Sequence, residues 1–398
     1  MITRIKVVHL ITGLGVGGAE MMLYKLVTHQ NSQPLENIVV SLTEGGFFRE
    51  KVEASGVKVY SLGMQPGRPS LAAILKLIKI LKKVQPDIVQ SWLYHADLLG
   101  TLATRLTGNV PLVWGVHNSY LDMSKYRRLS GWTLKACARL SNLPTAVLAV
   151  SEAGRDYHSS IGYKPREWAL IPNGIDTEQF KPDRQARSEV RKELNLSEET
   201  PLIGLIARFD PQKDHANFFR AAAILNELRP DVHFVLAGKD VTRENQQLAS
   251  LIKLKDPSVV HLLGLRQDIP RLTAAFDIST SSSFGEAFPL VLGEAMACAV
   301  PLVVTDVGDS AKVVGDTGRV VPPRNAPALA TAWKELLEVP LEERLALGNR
   351  SRQRVQDFYS LDMVVSEYAA LYERLLMVSS IRTNRKVSLS GSLNEGFR

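Results

Sequence analysis

The sequence predicts an α/β protein made of two doubly wound parallel sheets in tandem. Short β-branched runs alternate with helical patterns along most of the chain. The runs are nearly continuous in apolar residues, as strands covered on both faces must be. The alternation pauses at a polar, charged stretch from about Lys181 to Thr200 and then restarts. A chain of 398 residues exceeds what one core fills, so two domains are the default. Hydrophobic residues at 45% supply both cores, and charged residues at 22% are ordinary for a soluble globular protein.

In the first half, "IKVVHLIT" (5–12) leads through a glycine loop into a helix from about Ala19. "NIVVSLT", "VKVYSLG", "DIVQSW", "PLVWGVH" and "AVLAVS" follow, each trailed by a helical segment, and "EWALIPNGID" closes the half on the turn residues Pro172, Asn173 and Gly174. In the second half the strands are "PLIGLIARF", "VHFVLAG", "SVVHLLG", "FDISTSS", "PLVVTDV" and "GRVVPP". Leu361–Leu376 is an amphipathic helix, and the Ser-rich end beyond it has no period and is expected to be disordered. The expected division is 1–180, 181–358, a helix over 359–378 folding back on the first domain, and a tail over 379–398. Two such domains imply a cleft between them, with ligands at strand C-termini and helix N-termini.

Cys137 and Cys298 are the only cysteines; they lie far apart, which predicts reduced thiols and a reducing compartment. No Cys/His cluster has zinc spacing. No stretch is apolar for long enough to span a bilayer, and "MITRIKVVHLIT" is too short and strand-like for a signal peptide, so a cytoplasmic protein, or one peripheral on the inner face of the membrane, is expected. The formal charge of +7 and the pI of about 9.3 favour anionic partners such as nucleotides or a lipid surface; no nucleic-acid partner is expected.

Three motifs carry chemistry. Gly13-x-Gly15-x-x-Gly18 follows a strand and opens a helix, as in a dinucleotide fingerprint, but the acid due at the end of the second strand comes late, as Glu44. A nicotinamide dehydrogenase is therefore a weak reading, and a tight turn that binds nothing weighs equally with a ligand site. Arg208 ends a strand and Lys213 starts a helix, with Asp210 and Pro211 turning between them. Two cations there can neutralise a diphosphate, although pairing with Asp210 and Asp214 on a solvated loop is the plainer alternative. Lastly, "SFGEAFPLVLGE" (283–294) places Pro289 at the first position of a helix over Pro289–Ala299, with Phe288 just before it. The N–H groups of Leu290 and Val291 are then free for a phosphate. Glu286 in the loop and Glu294 within the helix can accept hydrogen bonds from sugar hydroxyls. A glycosidase pair of carboxylates fits this placement poorly, because such carboxylates flank a bond across open space.

These residues resemble the pattern of glycosyltransferase family 4, within the GT-B fold. The likeness rests on "GVGGAE", "PNGIDTEQF", "ARFDPQKDH", "LAGKD", "HLLGLRQDIP" and "FGEAFPLVLGEAMACAVPLVVTDVG" and extends to about Leu376. It implies an N-terminal acceptor-side domain and a C-terminal donor domain. The implied reaction is a retaining transfer from a nucleotide-diphosphate sugar, UDP- or GDP-linked, with no metal and no other cofactor. The resemblance assigns Glu286 to the donor sugar, Glu294 to the ribose hydroxyls, and Arg208 with Lys213 to the diphosphate. It places Gly238 ("LAGKD") and Leu265 and Arg266 ("GLRQD") on the nucleotide, Gly17 and Gly18 toward the reaction centre, and His117 as an active-site histidine. His95, Asp97 and Tyr126 are acceptor-side candidates. No D-x-D triplet occurs in the chain. The family's common use implies bacterial cell-surface polysaccharide synthesis on a saccharide or lipid-linked acceptor. A nucleotide-sugar 2-epimerase of the same fold and a non-catalytic nucleotide-sugar or glycan-binding protein are the alternatives.

Leu71–Gln85 sets Lys76, Lys79 and Lys83 on one helical face and Leu71, Ile74, Leu75 and Ile78 on another. Ser124–Asn142 adds Lys125, Arg127, Arg128, Lys135 and Arg139 beside Tyr126 and Trp132. Both segments suit an anionic bilayer surface; an ordinary helix with a core face and a solvated lysine-rich face is the plainer reading of Leu71–Gln85 and weighs evenly with the lipid surface for Ser124–Asn142.

Overall fold

The computed structural model describes residues 4–29, 35–65, 68, 70–119 and 128–394. They form two units, Met1–Pro172 with Asp362–Arg398, and Asn173–Leu361.

The first unit holds seven strands: β1 (Ile5–Ile11), β2 (Leu35–Ser41), β3 (Lys58–Ser61), β4 (Ile88–Trp92), β5 (Leu112–Val116), β6 (Ala146–Ala149) and β7 (Trp168–Leu170). All pair in parallel, in the order β3-β2-β1-β4-β5-β6-β7. β4 and β5 are buried along their whole length, which is why "DIVQSW" and "PLVWGVH" read as apolar runs rather than as alternating strands. Helices Leu71–Val84, Tyr94–Leu106 and Arg128–Leu140 close one face through Ala73, Leu77, Ala96, Ala103, Leu134 and Cys137.

The second unit holds β8 (Leu202–Ile206), β9 (His233–Ala237), β10 (Val260–Leu262), β11 (Ile278–Ser281), β12 (Leu302–Thr305) and β13 (Gly318–Val321), parallel in the order β10-β9-β8-β11-β12-β13. Its core sets Phe218, Phe219, Phe234 and Trp333 in edge-to-face and tilted contacts. In each sheet the order reverses beside the unit's first strand, at β1/β4 and at β8/β11. That is the switch point, where loops leave opposite ways and open a crevice.

The divisions differ from those expected by a few residues, for physical reasons. The charged stretch after Lys181, where the strand pattern pauses, holds a helix, Arg184–Glu193, capped by Asp183 and docked through Ala186, Val190 and Arg191. Arg191 is 1% exposed and donates to Asp277 at 2.7 Å, while Arg187 donates to the other carboxylate oxygen at 2.8 Å. The last helix starts at Leu361 and continues to Asn394, so the expected disordered tail is helical as far as Asn394. Its packed first turns nucleate it, each further residue adds a hydrogen bond, and no proline follows to stop it. Within the first unit, Tyr368 stacks on Trp92 and Arg374 pairs with Glu167 at 2.6 Å.

Candidate active site

At the β8/β11 switch point the two strand exits are joined through backbone and side chain. Asp210 caps a one-turn helix, Pro211–Lys213, by accepting from the Gln212 amide at 2.9 Å. The Phe284 amide donates to the Gln212 carbonyl at 2.9 Å, the Gln212 carboxamide donates to the Gly285 carbonyl, and Ser282 Oγ donates to the Lys213 carbonyl at 2.8 Å. These bonds bring Lys213 Nζ to 2.5 Å from Glu286 Oε1, which also accepts from Ser283 Oγ at 2.7 Å. Both side chains are largely buried, at 21% and 11% exposure.

The expected clamp is thus divided. Lys213 is neutralised by Glu286, whereas Arg208 is more than half exposed and held only loosely by Asp210, at 3.3 Å. Arg208 is the more exposed cation and Lys213 the more buried, more tightly paired one. A Lys offers three donors and a carboxylate four lone-pair directions, so their mutual bond leaves both able to take a ligand's oxygens or hydroxyls.

Beside them begins the helix Leu290–Ala297. Pro289 stands one position earlier than expected: its ψ of 108° is extended, which makes it the N-cap, and no side chain caps the turn. The helix ends two residues early, where Ala299 turns left-handed at φ 57° and the Val300 amide returns to the Ala295 carbonyl. The first-turn amides of Leu290 and Val291 have no intrahelical acceptor. Phe288 is buried against Tyr359, ring centroids 5.4 Å apart, and Glu294 is half-buried one turn into the helix.

The helix is also held from behind by the segment with which the chain enters the unit. Asn173 Nδ2 donates to the Phe288 carbonyl at 3.4 Å. Ile175 fills the space that Gly293 leaves; a β-carbon there would overlap it. The Arg352 guanidinium donates to the carbonyls of Thr177 at 3.2 Å, Phe180 at 3.1 Å and Ala297. Ile175 bridges in parallel to Ser360, so the unit's two ends lie side by side.

Several contributors had no sequence signal strong enough to find. Gly308, at φ 55°, sits so close to Glu286 that a β-carbon would overlap its carbonyl oxygen. Thr305 Oγ1 donates to the Ser283 carbonyl at 2.5 Å. Gln212 lies within "ARFDPQKDH", where no local signal sets it apart.

Other expected nucleotide contacts have different settings. Gly238 (φ 156°) lets the β9 exit lie against the Ala207 carbonyl, where a β-carbon would overlap. Leu265 is 66% exposed. Arg266 is not a free side chain: it forks onto Asp268 with two bonds of 2.8 Å and reaches Glu193 at 2.6 Å. These carboxylates raise its pKa, and they make it a brace of the β10 exit.

In the first unit, Gly17 is the N-cap and Gly18 the first residue of the helix Gly18–Thr28. Glu20 folds its carboxylate back over Gly17, into the space a β-carbon there would take; burial raises the Glu20 pKa. His117 follows β5 and stacks on Trp92, centroids 4.9 Å apart and planes 18° off parallel. Both of its ring nitrogens are shielded and have no hydrogen-bond partner, and burial lowers its pKa to about 3, so the ring is neutral. Trp92 is in turn fixed by donating Nε1–H to His9 Nδ1 at 3.3 Å. Leu93, next in line at the switch point, adopts φ 73° and ψ 156°, a backbone conformation costing a non-glycine residue about 1–3 kcal/mol.

The acceptor-side candidates separate. His95 is half-buried, with its pKa lowered by desolvation. Asp97 cannot meet a ligand: it is fully buried beneath its helix, its Oδ1 accepts from Ser91 Oγ at 2.7 Å, and burial raises its pKa well above the usual range. Tyr126 lies outside the described residues. Among the described residues no group of three His, Cys, Asp or Glu side chains is placed to hold a metal ion, and no helix is long and apolar enough to cross a membrane.

Comparison with known proteins agrees with this fold. Residues 16–179 match the family model described as Glycosyltransferase Family 4, and residues 200–339 match that of Glycosyl transferases group 1. The N,N'-diacetylbacillosaminyl-diphospho-undecaprenol alpha-1,3-N-acetylgalactosaminyltransferase of Campylobacter jejuni is 27% identical over 346 residues, 83% of this chain and 89% of its own. The UDP-Gal:alpha-D-GlcNAc-diphosphoundecaprenol alpha-1,3-galactosyltransferase of Escherichia coli is 27% identical over 60% of this chain and 62% of its own. Among solved structures, Anabaena HepE in complex with UDP superposes with a TM-score of 0.80 at 23% identity, covering 93% of this chain and 100% of that one. With two parallel α/β units, these matches and the loops that form the switch-point site, the chain belongs to glycosyltransferase family 4 and has the GT-B fold.

Proposed function

We propose that the protein transfers a sugar from a nucleotide-diphosphate sugar, with retention and without a metal, to a saccharide carried on a lipid diphosphate at an anionic membrane surface. The observation that carries this reading is the Lys213–Glu286 pair at the β8/β11 switch point, beside an uncapped helix N-terminus. The donor diphosphate would lie on the amides of Leu290 and Val291, with Arg208 and Lys213 against its oxygens. As the bond from anomeric carbon to phosphate oxygen breaks, charge grows on that oxygen. Fixed donors aimed there stabilise the transition state more than the ground state. Glu286 would accept from hydroxyls of the donor sugar and Glu294 from those of the ribose. The leaving diphosphate takes the acceptor's proton on the same face that the new bond forms, which accounts for retention without an enzymic nucleophile.

The relatives support the acceptor class: two of them are named for undecaprenol-diphosphate saccharides and for alpha linkages. Their transfer chemistry does not favour the 2-epimerase or the non-catalytic reading. HepE is also seen with UDP-glucose, which supports a UDP-linked donor. Bacterial cell-surface polysaccharide synthesis is the setting these names suggest.

The test is a thermal-shift panel of UDP, GDP and ADP with their sugars, followed by product analysis on the nucleotide that stabilises. One nucleotide raising Tm by several degrees and an alpha-linked product are expected, with turnover unaffected by a chelator. A panel in which no nucleotide shifts Tm overturns the donor assignment, and a beta-linked product overturns retention.

A further inference from the structure

We infer that Trp92, His9 and Tyr368 are positioning residues for His117, holding its imidazole by a buried aromatic stack rather than by a hydrogen bond, a role that rests on the proposed sugar transfer.

A histidine that works on a substrate is usually aimed through a hydrogen bond to its second ring nitrogen. His117 has no such bond: neither nitrogen has a partner among the described residues. Its face is held instead. Trp92, at the end of β4, stacks on the imidazole with centroids 4.9 Å apart, and Tyr368, from the last helix, stacks on the same indole at 6.2 Å. Their planes lie 18° and 14° from that of the indole, and Trp92 and Tyr368 are fully buried. Nε2 of His117 lies over Gly115, where a β-carbon would stand 3.2 Å from it.

Stacking alone would let the indole swing in its own plane. His9 prevents this. An indole N–H only donates, so His9 Nδ1, at 3.3 Å, must accept from Trp92 Nε1. The proton of a neutral His9 is then on Nε2, which donates to Asn37 Oδ1 at 3.0 Å. Burial lowers the His9 pKa to about 4, so this tautomer persists at neutral pH; a protonated His9 could not accept the indole N–H. Asn37 on β2, His9 on β1, Trp92 on β4 and the turn after β5 are thereby tied across the switch point of the sheet.

Packing alone does not account for this set. An imidazole with both nitrogens unbonded costs stability that a phenylalanine in the same place would not. Leu93, directly after Trp92, keeps φ 73°, a conformation that non-glycine residues hold only where their surroundings impose it, and such positions cluster at functional sites. A neutral imidazole has one donor and one acceptor to offer sugar hydroxyls, and the stack holds it without using either.

The experiment is a double-mutant cycle, Trp92→Leu against His117→Phe, in the full chain. It reads release of nucleoside diphosphate from the nucleotide sugar that raises Tm, with N-acetylglucosaminyl-diphosphoundecaprenol as the acceptor probe and with water alone. Trp92→Leu should lower kcat roughly tenfold or more with donor KM within about twofold, and should change kcat by less than about twofold once His117 is Phe. Trp92→Phe, which keeps an aromatic face, should restore about a third of the wild-type rate or more. An unchanged UDP thermal shift shows that the variants fold. If Trp92→Leu does not fold, His9→Leu, which strips the indole of its acceptor, replaces it in the cycle, and His9→Asn, whose Oδ1 can stand in for Nδ1, is the conservative control. Equal losses in both His117 backgrounds overturn the positioning, as does full activity in Trp92→Leu. A wild-type chain that releases no nucleotide from any nucleotide sugar overturns the reaction and the positioning together, whereas additive losses on an active wild type overturn the positioning alone.

Discussion

Lys213 and Glu286 are 73 residues apart in sequence, yet the ammonium lies 2.5 Å from the carboxylate because β8 and β11 are neighbours at the point where the sheet order reverses. Their bond prepares the site: the cation is held where a diphosphate would lie, and the carboxylate where hydroxyls would. Lys213→Ala should lower kcat/KM by about 100-fold or more, in line with the loss of one fixed donor to a developing oxyanion. Glu286→Gln should lower kcat more than it raises donor KM. Steady-state kinetics decide; normal turnover in Lys213→Ala removes the assignment.

Arg208 predicts a different profile. It is exposed and loosely paired, so Arg208→Ala should change stability by no more than about 0.5 kcal/mol while weakening nucleotide-diphosphate binding about tenfold. Calorimetry with UDP and a denaturant titration separate the two effects. A loss of stability without a loss of affinity would make Arg208 a structural residue.

Gly308→Ala is the severe change. It adds a β-carbon into the Glu286 carbonyl at a left-handed backbone position, so both strain and overlap act on the loop that carries the carboxylate. At least a tenfold loss of kcat is expected, together with a lower Tm. Full activity would show that the Glu286 loop has room to shift.

The pH dependence follows from His117, whose pKa is depressed to about 3 from an ordinary value near 6.5 by burial. Because the folded value is the lower one, the contribution to stability is present above about pH 6.5 and is lost as pH falls toward 3, where the unfolded state takes up the proton first. His9, His158, His215 and His261 are likewise lowered to about 4, mainly by desolvation, and act with the same sign. Tm should therefore fall steeply between pH 6.5 and 4, and less steeply in His117→Phe. No kinetic limb from His117 is expected between pH 5 and 8. A neutral-range limb that disappears in His117→Phe would place the working pKa far above the depressed one.

The strands were legible because both faces of each sheet are covered, which turns each strand into an apolar run that stands out locally. The helix Arg184–Glu193 was not, since its docking depends on a buried arginine answered by Asp277, 86 residues away. The pairing of Arg266 was illegible for the same reason: Glu193, which meets its guanidinium, is 73 residues distant. Pro289 was placed one step off because N-cap and first-turn prolines share the same φ and differ only in ψ. Arg208, Lys213, Glu286 and Glu294 were picked out as a group because the exits of alternating strands in a doubly wound sheet converge, and their spacing along the chain follows from that topology. Asp97 looked like a ligand group only while its depth was unknown.

The segment Asn173–Phe180 has a practical consequence for exchanging specificity between relatives. It braces the helix that carries Glu294 directly at Phe288 and Gly293 and through Arg352 at Ala297, and its bridge to Ser360 brings the two ends of the unit together. Residues 173–361 are therefore a cassette with adjacent termini, and a chimera spliced there carries the donor helix with its own support. A splice at 181 would instead seat a foreign helix on a native Ile175 and on native carbonyls at Thr177 and Phe180, so the recipient's backbone, rather than the donor's active-site residues, would limit what such a hybrid can do.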